Sequence, residues 1–304
     1  MTTAAQLDLR GFYSDVMAIT ESGLRSLKAH IDMVTGGRFD PAAAAPSGRS
    51  RTDGVIAVIP VMGPLSYRPT FLGSLFGWSN TATITEEIRS AVDNPNIREI
   101  ALLIDSPGGS VYGVEEAAEA VYQGRARKPI TAYAAPLAAS AAYWIGSAAS
   151  RFYAMPSAEV GSIGVIAVHL DHSKALQGEG IQPTVISSGR FKAEGNPYEP
   201  LHADARTEMQ RRVDEIHDRF VRDVARNRGV TVSRVAEQFG QGRAYQGREA
   251  HSRQMIDGTA ATLLEALRAS TGGRGGRPLQ AAAQRLQLLA EADIFIAQTL
   301  AKTR

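Results

Sequence analysis

The chain contains no cysteine among its 304 residues. This absence excludes disulfide bonds, thiolate metal sites and cysteine nucleophiles. No apolar stretch reaches the ~18 residues that a membrane-spanning helix needs. Polar residues are interspersed through residues 1–10, which lack the basic-then-apolar pattern of a signal peptide. The sequence therefore predicts no membrane span and a protein that stays in the cytoplasm where it is made.

A strong excess of one charge is also missing, since the formal net charge is only +2. A net charge this close to zero does not indicate a nucleic-acid-binding protein. No Gly-x-Gly-x-x-Gly motif accompanies the strand–turn–helix patterns, which weighs against a dinucleotide site. Hydrophobic residues make up 44% and charged residues 21% of the chain. This is ordinary globular composition, and it provides enough apolar material for a sizeable core.

Two segments of linker composition divide the chain into three predicted parts. The first linker is the Ala- and Pro-rich stretch at 41–48, and the second is the Gly-rich stretch at 272–278. Apolar residues at helical spacing predict a helical extension over 11–35 and a terminal helix over 279–301. We therefore predict an N-terminal extension at 1–52, a main domain at 53–270 and a C-terminal tail at 271–304. The terminal helix either packs on the domain or serves assembly.

Short β-rich runs alternate with helical patterns through the main domain. This alternation predicts an α/β fold. The run at 98–105 is apolar at its centre, as in a strand buried on both faces. The predicted strands are 55–61, 98–105, 130–133, 152–154, 163–169 and 183–186. The predicted helices are 114–122, 137–149 and 204–228.

The Asp-Ser-Pro-Gly-Gly motif at 105–109 lies between a predicted strand and a predicted helix. Gly108 and Gly109 permit backbone conformations that other residues avoid, and they allow a substrate backbone to approach closely. Free N–H groups in such a turn can stabilise a developing oxyanion. The alternative for a single Pro-Gly-Gly motif is a purely structural turn.

Ser140 lies in a run of small residues at the start of a predicted helix. A hydroxyl at a first helical turn can project into a cleft, and the following N–H of Ala141 has no partner within the helix. Ser140 is therefore a candidate nucleophile and Ala141 a candidate oxyanion donor. The alternative is a serine that only packs an alanine-rich helix against the sheet.

Lys192 is the candidate general base, in a loop that also contains Gly189, Phe191 and Gly195. A lysine accepts a proton only when it is neutral, which requires burial away from water. Ser162, in a Gly-Ser-Ile-Gly sequence, is a candidate for orienting the lysine amine. The alternatives are a solvated loop lysine and a turn serine.

Six histidines allow the more common Ser–His arrangement to be considered. His169 and His172 flank Asp171, which raises the hypotheses of a catalytic triad or of a metal site. His169 ends an apolar run and no third ligand is evident, so a structural histidine is the preferred interpretation. We expect no metal and no cofactor.

Five segments in this order resemble the signal peptide peptidase A family of serine proteases. They are Asp-Ser-Pro-Gly-Gly at 105–109, Ala-Ala-Ser-Ala-Ala-Tyr at 138–143, Gly-Ser-Ile-Gly at 161–164, Ser-Gly-Arg-Phe-Lys at 188–192 and the Ala-Tyr-Gln-Gly-Arg-Glu-Ala stretch at 244–250. The resemblance spans roughly residues 53–262. The Lys-Ala-Glu-Gly-Asn-Pro-Tyr sequence at 192–198 is most like the capsid maturation proteases of lambda-type phages, because cellular members usually carry an acid after the lysine.

The resemblance implies a ClpP/crotonase-like fold with repeated ββα units. It implies Ser140 as nucleophile, Lys192 as base, Ser162 orienting the lysine, and Gly108, Gly109 and Ala141 at the oxyanion. It further implies a ring-like homo-oligomer whose active site forms between subunits. The polypeptide substrate would be a capsid or scaffold protein, or the chain itself, in the host cytoplasm or prohead. One departure is that alanines follow Ser140 where many relatives have glycine.

Four other functions remain open from the sequence alone. The chain could be a cellular-type peptidase that degrades small peptides, or a ClpP-like protease in which His169 replaces Lys192. It could be a crotonase-like acyl-thioester enzyme, for which no CoA signature is present. It could also be a non-catalytic scaffold or capsid component.

Overall fold

A computed structural model describes residues 16–21, 23–25, 51–53, 55–70, 73 and 77–271. The strands in these ranges are β1 Met17–Ile19, β2 Arg51–Asp53, β3 Ile56–Met62, β4 Glu99–Ser106, β5 Gly108–Ser110, β6 Ile130–Ala139, β7 Arg151–Ala154, β8 Glu159–Gly161, β9 Ala244–Gln246 and β10 Gly258–Thr259. The helices are α1 Thr81–Asp93, α2 Val114–Gly124, α3 Ala141–Ser147, α4 Ser173–Gly178, α5 Ala203–Arg228, α6 Val232–Gln238, α7 Gly247–Ser252 and α8 Leu263–Ser270. The predicted linkers at 41–48 and 272–278 and the terminal helix at 279–301 lie outside the described residues.

The main sheet is mostly parallel. Its strand order is β10-β7-β6-β4-β3-β2, and only the β2–β3 pair in this path is antiparallel. Strand β8 pairs in parallel with the last residues of β6, and β9 pairs antiparallel with β8. Parallel neighbours need crossover connections, which the helices supply. The predicted α/β class is therefore confirmed.

Both faces of the sheet are buried. Along β3, Ala57, Ile59 and Val61 face the larger core, which includes residues of α1, α2, α3 and α5. Ile56 and Val58 face the smaller core beneath α8. This alternation follows from the two-residue period of a strand, and it explains why these strands are almost entirely apolar in sequence. No helix in the part of the chain that the structure describes is long and apolar enough to cross a membrane.

The structure corrects the predicted helical extension over 11–35 at residues 17–19, and of that range it describes only 16–21 and 23–25. Residues 21 and 23–25 are helical, but Met17–Ile19 is a strand that pairs antiparallel with Gly108–Ser110. All four residues at 16–19 are buried. A surface helix needs a polar face, which this apolar run lacks. Pairing with a distant edge therefore outweighs the local helical spacing.

Three other predicted segments differ from the structure. Residues 137–139 continue strand β6 instead of beginning a helix, because they pair with Glu159–Gly161. Residues 163–169 and 183–186 are not strands, although Ile166 forms an isolated bridge with Met17. Strands form where a neighbouring edge can satisfy their backbone groups, and the described residues provide no such edge along the length of these two segments.

Candidate active site

Ser140 joins the end of strand β6 to the start of helix α3, as predicted for the helix start. Its backbone has φ 55° and ψ −119°, in a region that residues other than glycine rarely adopt. The Ser140 N–H donates to Gly161 O at 2.7 Å, and its carbonyl accepts from Trp144 N at 2.9 Å. A backbone held this way costs on the order of 1–3 kcal/mol, and such residues concentrate at functional sites.

The hydroxyl of Ser140 is free of any capping role. It does not accept a hydrogen bond from its own helix, and instead donates to Gly164 O at 3.3 Å. The side chain is only 1% exposed. The next residue, Ala141, is the first of the helix, so its N–H has no partner within the helix. A nucleophile candidate and a free donor thus stand side by side.

Helix α3 is anchored behind Ser140 by its two aromatic residues. Tyr143 Oη donates to Met255 O at 2.9 Å, and Trp144 Nε1 donates to an Asp223 carboxylate oxygen at 2.9 Å. The Trp144 ring stacks on Phe220 with centroids 4.4 Å apart. Every residue of the helix is buried. Rigid packing of this kind fixes the position of a reacting side chain.

The glycine pair of the 105–109 motif lies directly against Ser140. A Cβ on Gly108, whose φ is +93°, would lie 3.0 Å from Ser140 Cβ and 3.0 Å from Ala141 N. A Cβ on Gly109 would lie 2.1 Å from Leu65 O. Neither position accepts a side chain, so both glycines are required for this close approach. The structure therefore brings Gly108, Gly109, Ser140 and Ala141 together.

The N–H groups of the two glycines have different partners. The Gly108 N–H donates to Ser106 Oγ at 3.2 Å, and that hydroxyl donates to Gly63 O at 2.7 Å. The Gly109 N–H belongs to the edge of β5 that faces β1. The Gly108 N–H is therefore used within the motif, whereas the Gly109 N–H points away from the motif towards β1.

Ser162 lies next to Ser140 across the β6–β8 pair. Ala139 is opposite Gly161 in the register, so the two serines follow paired residues. Ser162 also has a positive φ of 54°, is 7% exposed, and donates its N–H to Arg243 O at 2.8 Å. Strained backbone conformations concentrate at functional sites, so the two neighbouring serines indicate a functional site at this end of the sheet.

Lys192 is not brought to Ser140 within the chain. It lies in an exposed turn, where its N–H donates to Gly189 O at 3.1 Å. Its ammonium group has no hydrogen bond or ion pair with any of the residues described. A single copy of the chain therefore contains the predicted nucleophile and oxyanion donors but leaves the predicted base in solvent.

The histidine hypothesis is not supported by the geometry of this chain. His169 Nε2 lies 3.0 Å from Asn196 O, and Asp171 accepts from Ser173 N at 2.9 Å. Neither residue contacts Ser140. Among the described residues, no group of three or more His, Asp or Glu side chains could hold a metal ion. The interpretation of His169 as a structural histidine stays a prediction.

Sequence reasoning missed two parts of this site. One is the backbone of Leu65, whose N–H donates to Gly108 O and whose carbonyl accepts from Ser110 N, each at 2.8 Å. The other is strand β1, which lies on the opposite edge of Gly108–Ser110. The uninterrupted apolar run at 16–19 was the available signal for a short buried strand.

Asp105, at the start of the motif, is a partly buried carboxyl group. Burial raises its pKa to about 6, from an ordinary value near 4. The folded state then binds the proton more tightly than the unfolded state between about pH 4 and pH 6. Stability contributed by the protonated group is present below this window and is lost as the pH rises through it.

We expect Asp105→Asn to stabilise the protein at pH 7.5, by up to about 3 kcal/mol, and to have little effect near pH 4. The exposed Asp93, whose side chain is 69% exposed, supplies the control Asp93→Asn, which should change stability by less than about 0.5 kcal/mol. Urea unfolding at both pH values measures the difference. An Asp105→Asn gain that is equal at both pH values contradicts the linkage.

Comparisons with known proteins identify a peptidase domain in this part of the chain. Residues 123–270 match the sequence model of Peptidase family S49, a range that contains Ser140, Ser162 and Lys192. The chain therefore carries a Peptidase S49 domain. The glycine pair at 108–109 lies just before the matched range.

Individual relatives include two phage proteins. The chain is 34% identical over 202 residues to the capsid assembly protease C of Escherichia phage lambda, covering 66% of this chain and 46% of that protein. It is 35% identical over 180 residues to the head-tail preconnector protein GP5 of Enterobacteria phage P21, covering 59% and 36%. The chain thus spans less than half the length of both phage proteins.

One cellular relative is named as a signal peptide peptidase A, the family that the sequence motifs resemble. The putative signal peptide peptidase SppA of Enterococcus faecium is 28% identical over 181 residues, covering 59% of this chain and 52% of that protein. The resemblance to the signal peptide peptidase A family, and to its phage members in particular, is confirmed.

Proposed function

We propose that this chain, which carries a Peptidase S49 domain, is a serine endopeptidase that processes capsid or scaffold proteins during phage head assembly. The observation that carries the proposal is the strained Ser140 packed against Gly108, with the N–H of Ala141 beside it. A hydroxyl next to converging N–H donors suits attack on a peptide carbonyl. The names of the two phage relatives support the substrate class.

In the proposed mechanism Ser140 Oγ attacks the carbonyl carbon of the scissile peptide bond. Gly109 and Ala141 N–H groups stabilise the oxyanion, and a neutral Lys192 amine takes the hydroxyl proton and passes it to the leaving nitrogen. The resulting acyl-enzyme is hydrolysed by water. Ser162, beside Ser140, orients the lysine amine.

The exposed position of Lys192 supports an active site completed by a second copy. Its own segment carries most of the exposed large apolar side chains of the described residues, namely Ile166, Val168, Leu170, Ile181, Val185, Ile186, Phe191 and Tyr198. Ile186 alone is 93% exposed. Such a surface is characteristic of an interaction site, and burial there favours a neutral lysine amine.

The proposed assembly is a ring. When the segment at 166–198 of one copy contacts the nucleophile region of the next, the contact is heterologous, and repeated heterologous contacts form a ring when the rotation between copies closes. Residues 183–186 would gain in the neighbouring copy the strand partner that they lack in one chain. The parallel sheet and its covering helices are consistent with the ClpP/crotonase-like fold, which we propose for residues 53–270.

The test is labelling by a fluorophosphonate probe, followed by peptide mapping, on the full chain co-expressed with a candidate capsid protein. We expect the probe on Ser140 and shortening of the capsid protein, and we expect prior treatment with the fluorophosphonate to prevent the shortening. Labelling of another serine contradicts the assignment of the nucleophile. Absence of both labelling and shortening favours a non-catalytic scaffold component.

A further inference from the structure

Strand β1 lies between two backbone edges beside the candidate nucleophile. On one side it pairs antiparallel with Gly108–Ser110. On the other side Met17 and Ile166 exchange two hydrogen bonds, each 2.8 Å long. An extended segment held on both edges is how a peptide binds by strand addition. Residues 16–19 therefore fill a groove shaped for an extended peptide.

The register of this pairing places Ala18 opposite Gly109. Thr20 N donates to Pro107 O at 3.0 Å, and Val111 N donates to Val16 O at 3.4 Å. Hydrogen-bonded pairs alternate with non-bonded pairs along an antiparallel ladder. Ala18 and Gly109, two residues from each of these pairs, are thus a hydrogen-bonded pair in which the Gly109 N–H donates to the Ala18 carbonyl.

The same carbonyl is close to the nucleophile. The point at which Gly108 would carry a Cβ is 2.1 Å from Ala18 O, 3.0 Å from Ser140 Cβ and 3.0 Å from Ala141 N. These three atoms therefore surround one small volume next to Gly108. Ala18 O pairs with the Gly109 N–H and lies on the side of Gly108 that also faces Ser140 Cβ and Ala141 N, which is the position that a scissile carbonyl takes beside a nucleophile and its oxyanion donors.

We propose that residues 16–19 occupy the substrate groove as a peptide substrate does, and that the protein cuts its own Ala18–Ile19 bond. This inference rests on the proposed function, because it needs a catalytic Ser140. Beyond the proposed function, the inference identifies the groove that binds the substrate, the segment that fills it and the bond that is cut.

The reaction balances with water as the only co-reactant. Ser140 Oγ forms a bond to the Ala18 carbonyl carbon, the Ala18–Ile19 C–N bond breaks, and the hydroxyl proton passes through Lys192 to the Ile19 nitrogen. Water then hydrolyses the Ala18 ester. The products are residues 1–18 with a terminal carboxylate and a shortened chain that begins at Ile19, with the Ser140 hydroxyl restored.

The buried position of Ala18 also defines the preferred substrate. Its side chain is 0% exposed and belongs to the main core cluster. A larger residue at this position would have to displace packed atoms, and an ionised one would be buried without a partner. The groove therefore selects an extended apolar peptide with a small residue before the scissile bond.

The experiment follows intact mass and the N-terminal sequence of the full chain over time. We expect wild type to lose residues 1–18 and to gain Ile19 as its first residue. Ala18→Asp should slow this cut at least about 100-fold, since it misplaces the scissile carbonyl. The matched control Ala126→Asp, at an exposed turn after helix α2, should cut at the wild-type rate.

Fluorophosphonate labelling and cleavage of a separate protein are measured on the same samples. A labelled, active enzyme whose Ala18–Ile19 bond stays intact overturns this inference and leaves the proposed function standing. Cutting at a different bond of the N-terminal segment, or an undiminished cut in Ala18→Asp, overturns it too. Absence of labelling and of all cleavage overturns both proposals.

Discussion

Replacing Ser140 with alanine should lower the rate of peptide cleavage by at least about 10⁴-fold, since loss of a nucleophile removes the covalent route entirely. The proposed oxyanion donors, the N–H groups of Gly109 and Ala141, belong to the backbone and are not removed by this change. The rate is measured as kcat/KM on a capsid-derived peptide. The backbone of α3 does not depend on the hydroxyl, which donates only to Gly164 O.

The matched control is Ser157→Ala, which removes a hydroxyl from an exposed turn and should leave kcat/KM unchanged. Thermal unfolding distinguishes lost chemistry from a lost fold. Removing the Ser140–Gly164 hydrogen bond should cost about 1 kcal/mol, which is too little to unfold the protein. A purified Ser140→Ala protein that retains more than a trace of wild-type activity would show that another residue is the nucleophile.

Mixing two inactive variants should restore activity if Ser140 and Lys192 meet between copies. Ser140→Ala and Lys192→Ala are each expected to be inactive alone. After unfolding and refolding together in equal amounts, about one quarter of the sites in a ring should combine an intact serine with an intact lysine. Recovered activity near a quarter of wild type is therefore the expected result, measured on the same peptide.

Lys174→Ala is the matched control for this experiment, because Lys174 is also an exposed lysine of the same segment. It should be fully active alone. If the mixture stays inactive while mass analysis shows mixed assemblies, the lysine acts within its own chain or is not the base. An inactive His169→Ala together with an active Lys192→Ala would instead identify a histidine base.

Much of the fold could be predicted locally. The structure has strands at Ile56–Met62, Glu99–Ser106 and Arg151–Ala154 and helices at Val114–Gly124 and Ala203–Arg228, each within a few residues of the predicted range. These elements carry their own signal, because a strand buried on both faces is continuously apolar and a partly exposed helix repeats every 3.6 residues. The segments that failed are those whose structure depends on a free edge elsewhere: residues 16–19 and 137–139 pair with such an edge, and residues 183–186 have none among the described residues.

The candidate site could likewise be predicted from the sequence only in part. The types and order of residues around 108–109, 140–141 and 162 were sufficient to predict that they would be neighbours, and the structure brings them together. The backbone strain at Ser140 and the packing of Leu65 against Gly109 have no local signature. They arise where separate strands end at one edge of the sheet.

The sequence by itself determined the α/β class, the resemblance to the peptidase family and the candidate residues for the predicted chemistry. These depend on periodicity and on short motifs, which each segment contains independently of the rest. Only the tertiary structure decided that Lys192 stays in solvent within one copy, and that residues 16–19 lie as a strand against Gly108–Ser110. Both outcomes depend on which backbone edges are free in the folded chain, and free edges exist only after the sheet has formed.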